Sequence, residues 1–584
     1  MPAEVNRKEE ISMIRLSDYI ASYLIEQGVD DFFMLTGNGA MYLNDAIAQS
    51  GVNYYCARNE AAAPMMAEAY ARVKQSLGAV CVTSGPGSTN AVPGLAEAWA
   101  DSAPIIVISG QVQRSHTTRV ANIPGLRTFG TAEIDIVSIV EPLTKYAVMV
   151  EDPESIRYHL EKAVYLATSG RPGPVWLDLP QDIQDSLIDP ESQTGFDPPD
   201  EGAEYDSVYD AVTRVMELLE KCDRPLLFGG HGIHQAGAKA GLNDLLDTSG
   251  IPIFLSRLGH DLIPFSHPQN LGMAGLKGAK YSWAIMESAD LVITLGCRMS
   301  VQTIGHDLDP FSDNTKVVMV DIDEAELKKP GLAIDVPVRA DVGRFMDALS
   351  AALKRKDISR RPEWLDHCQT LKRENPMVLP SQQRNPIDLY YFMSRLDALS
   401  EERHIFVTDA GSNLYVGGQV YRHEFGQRHI GSSTFGAMGL SIPLAIGASI
   451  AAIDKQILAV TGDGSLELNI QELKTMSHYG LDVKLFVINN GGYVSMRNWQ
   501  DNFFEGRRIE GSEETGTGTL ELAKVAAAFD LDYRLIGTWE EIDGTVEEIM
   551  RERGPLLIEV VCDEEQQIVS PTPGTVLPTA DNRQ

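Results

Sequence analysis

Asp463, set between Gly462 and Gly464 and followed by Ser465, and the amide pair Asn489-Asn490 are the residues whose types and spacing best suit chemistry. The apolar run 457–461 leads into the first group, and the residues between the two read as helix then strand. Carboxylate and amide oxygens are therefore expected at the carboxyl ends of neighbouring parallel strands. Oxygens converging from two strand ends suit one hard cation, and Mg²⁺ takes a near-octahedral oxygen set that it commonly shares with phosphate. The flanking glycines let backbone approach that phosphate, and the following helix offers its first N–H groups to the anion. Gly-Asp-Gly alone is far more often a surface turn. The Asn pair in a strand–helix–strand frame is what makes the pattern specific.

This spacing resembles the thiamine diphosphate (ThDP) fingerprint of the decarboxylase and acetolactate-synthase superfamily. The resemblance extends from Arg15 to Pro571. It implies that Asp463, the Asn490 side chain and the Gly492 carbonyl bind Mg²⁺, with Gly464, Ser465 and Tyr493 beside the diphosphate. A second phosphate contact is expected from Gly411, Ser412 and Asn413, although Ser412 taken alone is equally a helix cap. The segment Ser433-Thr434-Phe435-Gly436-Ala437-Met438-Gly439 resembles the family stretch that bends the cofactor. Met438 takes the place of the bulky wedge between the rings, and the Gly436 carbonyl that of the acceptor for the 4′-amino group.

Catalysis in this family needs a carboxylate against the pyrimidine ring. The run Arg58-Asn59-Glu60-Ala61-Ala62 resembles the helix that carries it, which makes Glu60 the expected proton relay. Asn59 departs from the histidine of many members. Gly37 and Asn38 stand where family members place a Gly-Gly turn beside the thiazolium, and Gln111 matches a residue facing the substrate. Where related synthases carry Phe-Gln-Glu, this chain has Thr131-Ala132-Glu133, and two acidic residues that often follow the Asn pair are Gly491 and Gly492. Arg497 and Trp499 fall in the substrate and lid region, with Trp499 either selecting a second keto acid or packing under the lid, residues 503–518. FAD is implied by a resemblance of Gly229, Gly230, Gly272, Met273, Arg298, Asp321 and Asp341 to the flavin landmarks of acetolactate synthases; non-flavin relatives keep similar glycines for turns.

Length and pattern supply the frame. The 584 residues are too many for one core, and strands alternate with helical segments throughout, the signature of parallel α/β layers. The expected fold class is α/β, with three doubly wound parallel-sheet domains. They are a pyrimidine-binding domain at 12–188, a central domain at 206–353 and a diphosphate-binding domain at 385–571, with a tail at 572–584. The 82 acidic against 49 basic residues give a net charge of −33, which argues against nucleic acid or an anionic membrane surface as partner. Six cysteines without CxxC pairing give no zinc signature. The first ten residues lack the apolar core of a secretory leader and no apolar run suffices to cross a bilayer, so a cytoplasmic location is expected.

The resemblance implies a decarboxylating carboligase that passes an acetaldehyde-level acyl anion from pyruvate, a 2-keto acid, to an aldehyde, ketone or keto-sugar acceptor. Its closest flavour is the branch that acetylates ketones (yersiniose-type). The alternatives are a true acetolactate synthase catalytic subunit, another ThDP lyase (a 2-keto acid decarboxylase or an oxalyl-CoA-type enzyme), or a non-enzymatic cofactor-binding paralogue, which the intact Glu60, Asp463 and Asn490 oppose. Because Glu60 and Asp463 lie in different domains, the resemblance implies a homodimer or homotetramer with active sites at the subunit interface.

Overall fold

The computed structural model describes residues 13–199, 207–307, 310–356 and 360–571. The expectations for the first ten residues, for part of the linker after the first domain, and for the tail at 572–584 lie outside this set. The chain divides into two compact units, 1–199 and 200–584, so two of the three expected sheets share one unit.

The first unit is built on β1 (Asp31–Met34), β2 (Asn53–Cys56), β3 (Gly78–Val82), β4 (Ile105–Gln111), β5 (Tyr146–Met149) and β6 (Val175–Pro180). They form one parallel sheet in the order β2-β1-β3-β4-β6-β5. Every residue of β1, β3, β4 and β6 is buried. That is why these strands read as continuous apolar runs: helices cover both faces of a parallel sheet. Helix α1 (Ala62–Lys74) follows β2, and α2 (Pro86–Asn90) follows β3. A single helix over 89–101 is expected from the sequence, but the structure breaks it: α2 stops at Asn90 and a new helix runs Val92–Ala100. Pro93 is the reason, since it lacks an N–H and its ring excludes the carbonyl four residues earlier, so the helix restarts with proline in its first turn.

In the second unit, β7 (Pro225–Gly229), β8 (Ile253–Leu255), β9 (Asn270–Met273), β10 (Leu291–Leu295), β11 (Lys316–Asp321) and β12 (Val336–Arg339) form a parallel sheet ordered β9-β8-β7-β10-β11-β12. Helix α3 (Val342–Arg355) packs its apolar stripe on this sheet through Phe345, Met346 and Leu349. A further sheet holds β13 (His404–Thr408), β14 (Arg428–Ile430), β15 (Gln456–Gly462), β16 (Val483–Asn489), β17 (Asp532–Ile536) and β18 (Leu556–Val561), ordered β14-β13-β15-β16-β18-β17 and again all parallel. The three-sheet α/β architecture is thus as the sequence pattern implies. Strand order reverses between β13 and β15, and open parallel sheets bind ligands in the crevice at such a reversal, outside the carboxyl ends. No helix among the described residues is long and apolar enough to cross a membrane.

One buried charge in the first sheet has a pH consequence. Asp178 on β6 is 1% exposed and accepts hydrogen bonds from Ser109 Oγ (2.6 Å) and Gln111 Nε2 (3.1 Å), while Trp176 Nε1 donates to Ser109 Oγ at 2.8 Å. Burial outweighs these donors and pushes the Asp178 carboxyl up to about 7. A folded-state pKa above the unfolded one favours folding in full at pH below the unfolded value, and that contribution is lost as pH rises through about 7. Asp178→Asn, which cannot ionise, should therefore gain stability relative to wild type between pH 5 and pH 8 in paired thermal-unfolding scans. A difference in melting temperature that stays constant over that range would show that the carboxyl does not titrate there.

Candidate active site

The crevice between β13 and β15 is organised by two buried carboxylates. Asp409, directly after β13 and 0% exposed, accepts from the N–H groups of Ala410 (2.8 Å), Gly439 (3.0 Å) and Ser441 (3.0 Å) and from Thr461 Oγ1 (3.1 Å). It thereby joins the ends of both strands to the segment carrying Met438. Asp463, directly after β15, accepts from the N–H groups of Gly464 (2.8 Å), Gly492 (2.9 Å) and Asn490 (3.2 Å). The register of β15 with β16 pairs Gly462 with Ile488, which carries Asn490 and Gly492 to the same edge. Burial pushes the Asp463 carboxyl above the ordinary carboxylate range despite its three donors and the nearby charge of Arg497.

The glycines around Asp463 are required by close approach. A Cβ on Gly464 would sit 2.3 Å from the Tyr493 ring, so Tyr493 lies directly on the Gly-Asp-Gly turn. Gly492 has φ +108° and Gly491 φ +71°, left-handed conformations in which an acidic side chain is strained. The helix after Asp463, α4 (Asp463–Leu466), is one short turn that passes into a 3-10 stretch at Glu467–Glu472. Its dipole is correspondingly small, and local N–H groups and side chains carry the site instead.

Residues 411–420 form a helix whose first residue, Gly411, has φ +63°. The Asn413 side-chain oxygen and the Ser495 hydroxyl are buried without a hydrogen-bond partner among the described residues. Gly462 lies against the Asn413 amide nitrogen and Gly411 against the Ser495 hydroxyl, at 3.3 Å from where each Cβ would be. Unsatisfied polar atoms beside side-chain-free backbone are what a diphosphate and its metal would occupy, so the residues present fit that group. Ser412 and Ser465 are buried nearby. Across the crevice, Gly436 (φ +68°) donates its N–H to Ser432 Oγ at 2.7 Å, and Met438 stands 39% exposed.

Arg497 has a different place from the substrate role expected of it. On α5 (Val494–Phe504), it is 2% exposed and donates to the carbonyls of Gly491 (2.9 Å), Asn490 (2.7 Å), Glu564 (2.7 Å) and Gly511. Its guanidinium is a clamp on the Asn490–Gly492 loop. Trp499 lies on the opposite, open face of the helix, 53% exposed and stacked on Phe503 with ring centroids 4.8 Å apart. Arg508 is tied by Asp501 and Glu565.

The flavin candidates sit at the carboxyl ends of the central sheet. A Cβ on Gly230 would meet the Gly296 carbonyl at 2.0 Å, so the loops after β7 and β10 touch. Gly229 ends β7, and Gly272 has φ +79°. Met273 packs against Gly418, and Arg298 Nη2 donates to Ser433 Oγ at 3.0 Å. Asp321 accepts from the Asp323 N–H, while Asp341 caps α3 by accepting from the Arg344 N–H at 2.9 Å.

In the first unit, Glu60 is 9% exposed just before α1, and its Oε2 accepts from Asn90 Nδ2 at 3.1 Å. Gly87 makes room for it, since a Cβ there would sit 3.4 Å from Glu60 Oε1 and 2.5 Å from Thr83 Cγ2. Gly37 also lies against Thr83, which accepts the Gly39 N–H at 3.0 Å; Asn38 is exposed on this edge. Asn59 accepts the Ala61 N–H at 2.9 Å through Oδ1, which turns the chain into α1. Gln111, expected to face a substrate, is 1% exposed, and its amide donates to the Ile134 carbonyl and Asp178. Ala132 adopts φ +57° directly against Gly85. Asn90 is a partner of Glu60 that no spacing in the sequence marked.

Three matches cover the chain. Residues 14–139 match the thiamine pyrophosphate enzyme N-terminal TPP binding domain, 212–349 the central domain, and 409–560 the C-terminal TPP binding domain. The chain belongs to the thiamine pyrophosphate enzymes. Among its relatives are the acetolactate synthase isozyme 1 large subunit of Escherichia coli K12 (31% identical over 561 residues, 95% of each chain) and the acetolactate synthase large subunit of Cyanidium caldarium (30% over 556 residues, 92% of this chain and 91% of the relative). The corresponding subunit of Lactococcus lactis is 29% identical over 559 residues, 95% of this chain and 94% of the relative. The protein is a ThDP-dependent enzyme of the acetolactate synthase-like kind, within the acetolactate synthase and pyruvate decarboxylase superfamily.

The clamp reading of Arg497 separates from a substrate role by experiment. Arg497→Met should leave four loop carbonyls short of a donor, cost at least about 2 kcal/mol, and weaken the ThDP-dependent thermal shift in Mg²⁺ by ten-fold or more in midpoint concentration. Unchanged cofactor titration with a raised substrate KM would return Arg497 to the substrate.

Proposed function

We propose that the enzyme decarboxylates pyruvate and ligates the two-carbon unit to a second 2-keto acid, the reaction of an acetolactate synthase. The support is the set of relatives named acetolactate synthase large subunit, which match this chain over nearly its full length. In this reading Asp463, the Asn490 side chain and the Gly492 carbonyl hold Mg²⁺, and Gly411, Ser412, Asn413, Gly464, Ser465 and Tyr493 surround the diphosphate. ThDP, when bound, supplies the electron sink that makes decarboxylation of a 2-keto acid feasible.

The chain's own residues bind, orient and move protons. Met438 supports the bend and the Gly436 carbonyl receives the aminopyrimidine. Glu60, held by Asn90 at 3.1 Å, exchanges a proton with the pyrimidine N1′. Gly37 and Asn38 border the reacting centre, and Gln111 acts there by fixing the β4 loop through Asp178 and Ile134. Trp499, exposed and ready to be covered, contacts the acceptor. The proposal includes a homodimer or homotetramer in which a second copy completes each site.

A second reading has its own observation. Where related synthases carry Phe-Gln-Glu, the stretch Thr131-Ala132-Glu133 offers no amide, and Glu133 is spent on the Thr118 hydroxyl (2.6 Å) and the N–H groups of Thr118 and Phe129. The altered site favours an acceptor other than pyruvate, a ketone or keto sugar. Glu60→Gln should lower CO₂ release from pyruvate by roughly 10²-fold or more, and near-wild-type release would remove Glu60 from that role. Acetolactate from pyruvate alone supports the first reading; branched products only with added ketones or keto sugars support the second.

FAD belongs to this proposal as a bound, non-cycling cofactor. In this reading Gly229, Gly230 and Gly272, near the carboxyl ends of their strands, would lie beside the dinucleotide, with Met273, Arg298 and Asp321 bordering it, whereas Asp341 is committed to its helix cap. Purified enzyme is expected to show a flavin absorption spectrum released on denaturation; colourless protein reconstituted with FAD to no spectral change would remove it.

A further inference from the structure

His260, His423 and His429 meet in the second unit, away from the Asp463 cradle. Their ligand-capable atoms all lie within 4.8 Å of one another and all three side chains are buried. His260 follows the turn Arg257–Gly259 of the central sheet, His429 lies on β14, and His423 precedes that strand. Ring centroids are 5.0 Å apart for His260 and His423, 5.3 Å for His423 and His429, and 6.1 Å for His260 and His429. Imidazole nitrogens held at about 2.1 Å from one ion fall roughly 3–4 Å from each other, inside the observed limit.

Two features point to a ligand. Neither ring nitrogen of His423, 1% exposed, has a hydrogen-bond partner among the described residues, and the same holds for His260 Nδ1. His423 also sits at φ +51°, a left-handed conformation that costs a non-glycine residue energy and aims its ring into the cluster. The rings of Phe406 and Tyr421 pack around it and satisfy no nitrogen.

The surroundings resemble a metal's outer shell. His429 Nε2 lies 3.1 Å from Thr408 Oγ1, the kind of contact that fixes the ring of a ligating histidine. Asp261 supplies the nearby negative charge. It pairs with His234 at 2.7 Å and Arg428 at 3.0 Å, and it accepts the His429 N–H at 2.9 Å.

We propose that His260, His423 and His429 bind one first-row transition-metal ion, with Zn²⁺ as the expected occupant. An all-imidazole set prefers Zn²⁺, Co²⁺, Ni²⁺ or Cu²⁺ over Mg²⁺, so the site is chemically separate from the oxygen cradle at Asp463. The ion would join the central-sheet loop to β14, from which the chain runs through Ser432 to Gly436 and Met438. Its role is therefore to brace the cofactor-bending segment from behind.

The test uses the full-length chain with saturating Mg²⁺ and ThDP. Because the site is enclosed, metal is offered during synthesis, in cultures supplemented with Zn²⁺ or Co²⁺. Elemental analysis should find about one Zn²⁺ per chain, and the Co²⁺ form should show visible d–d bands of a nitrogen-ligated, low-symmetry site. His423→Phe keeps the ring volume and should lower metal content by roughly ten-fold or more; His260→Asn should do the same. Wild-type protein from zinc-supplemented culture that carries only trace metal would overturn the proposal. So would equal metal content in wild type and in folded, ThDP-binding His423→Phe.

Discussion

The strand-end loops of the third sheet depend on two buried carboxylates that gather backbone N–H groups. Asp409 takes four donors from three segments, and Asp463 takes three from two. Loops cannot be buried unless their polar backbone is paired, and a carboxylate is the most economical partner because each oxygen accepts more than one bond. The two sites differ in balance. Asp409 is satisfied by its protein donors, whereas burial drives the Asp463 carboxyl upward even with its donors in place.

Arg497 completes that arrangement from the other side. Asp463 collects the N–H groups of Asn490 and Gly492, and Arg497 collects the carbonyls of Asn490 and Gly491. A loop pinned through both its donors and its acceptors keeps little conformational freedom, which suits a metal that tolerates only near-octahedral geometry. The glycines follow from this pinning. At φ +71° and +108° the backbone of Gly491 and Gly492 turns the Gly491 carbonyl toward Arg497 and the Gly492 N–H toward Asp463, a path few L side chains permit.

Much of this was legible in the sequence. Parallel strands buried on both faces appear as continuous apolar runs, and the Asp463–Asn490 spacing places oxygens at adjacent strand ends. What sequence pattern could not give was which side chains are spent internally. Arg497 looked like a lid residue because arginine near a phosphate site suggests an anion; its four carbonyl partners come from segments as far away as Glu564, a separation no local motif records. Gln111 looked substrate-facing, yet its amide serves Asp178, a pairing set by the neighbouring of β4 and β6 and invisible before the sheet order is known. Asn90 lies on the short helix after β3 and Glu60 in the loop after β2, so their contact likewise depends on sheet order. The helix expected over 89–101 failed for a local reason, the weight of Pro93 against an otherwise continuous apolar pattern.

Asn59 shows how a single departure bears on chemistry through backbone structure. Its Oδ1 accepts the Ala61 N–H, an Asx turn that fixes the path from Glu60 into α1. A capping interaction of this kind is worth about 1 kcal/mol, modest for stability but large for aim, because Glu60 is the residue immediately inside the turn. A histidine at this position would bring a titratable group to the site at neutral pH; asparagine brings none, and its oxygen is already engaged by the Ala61 N–H.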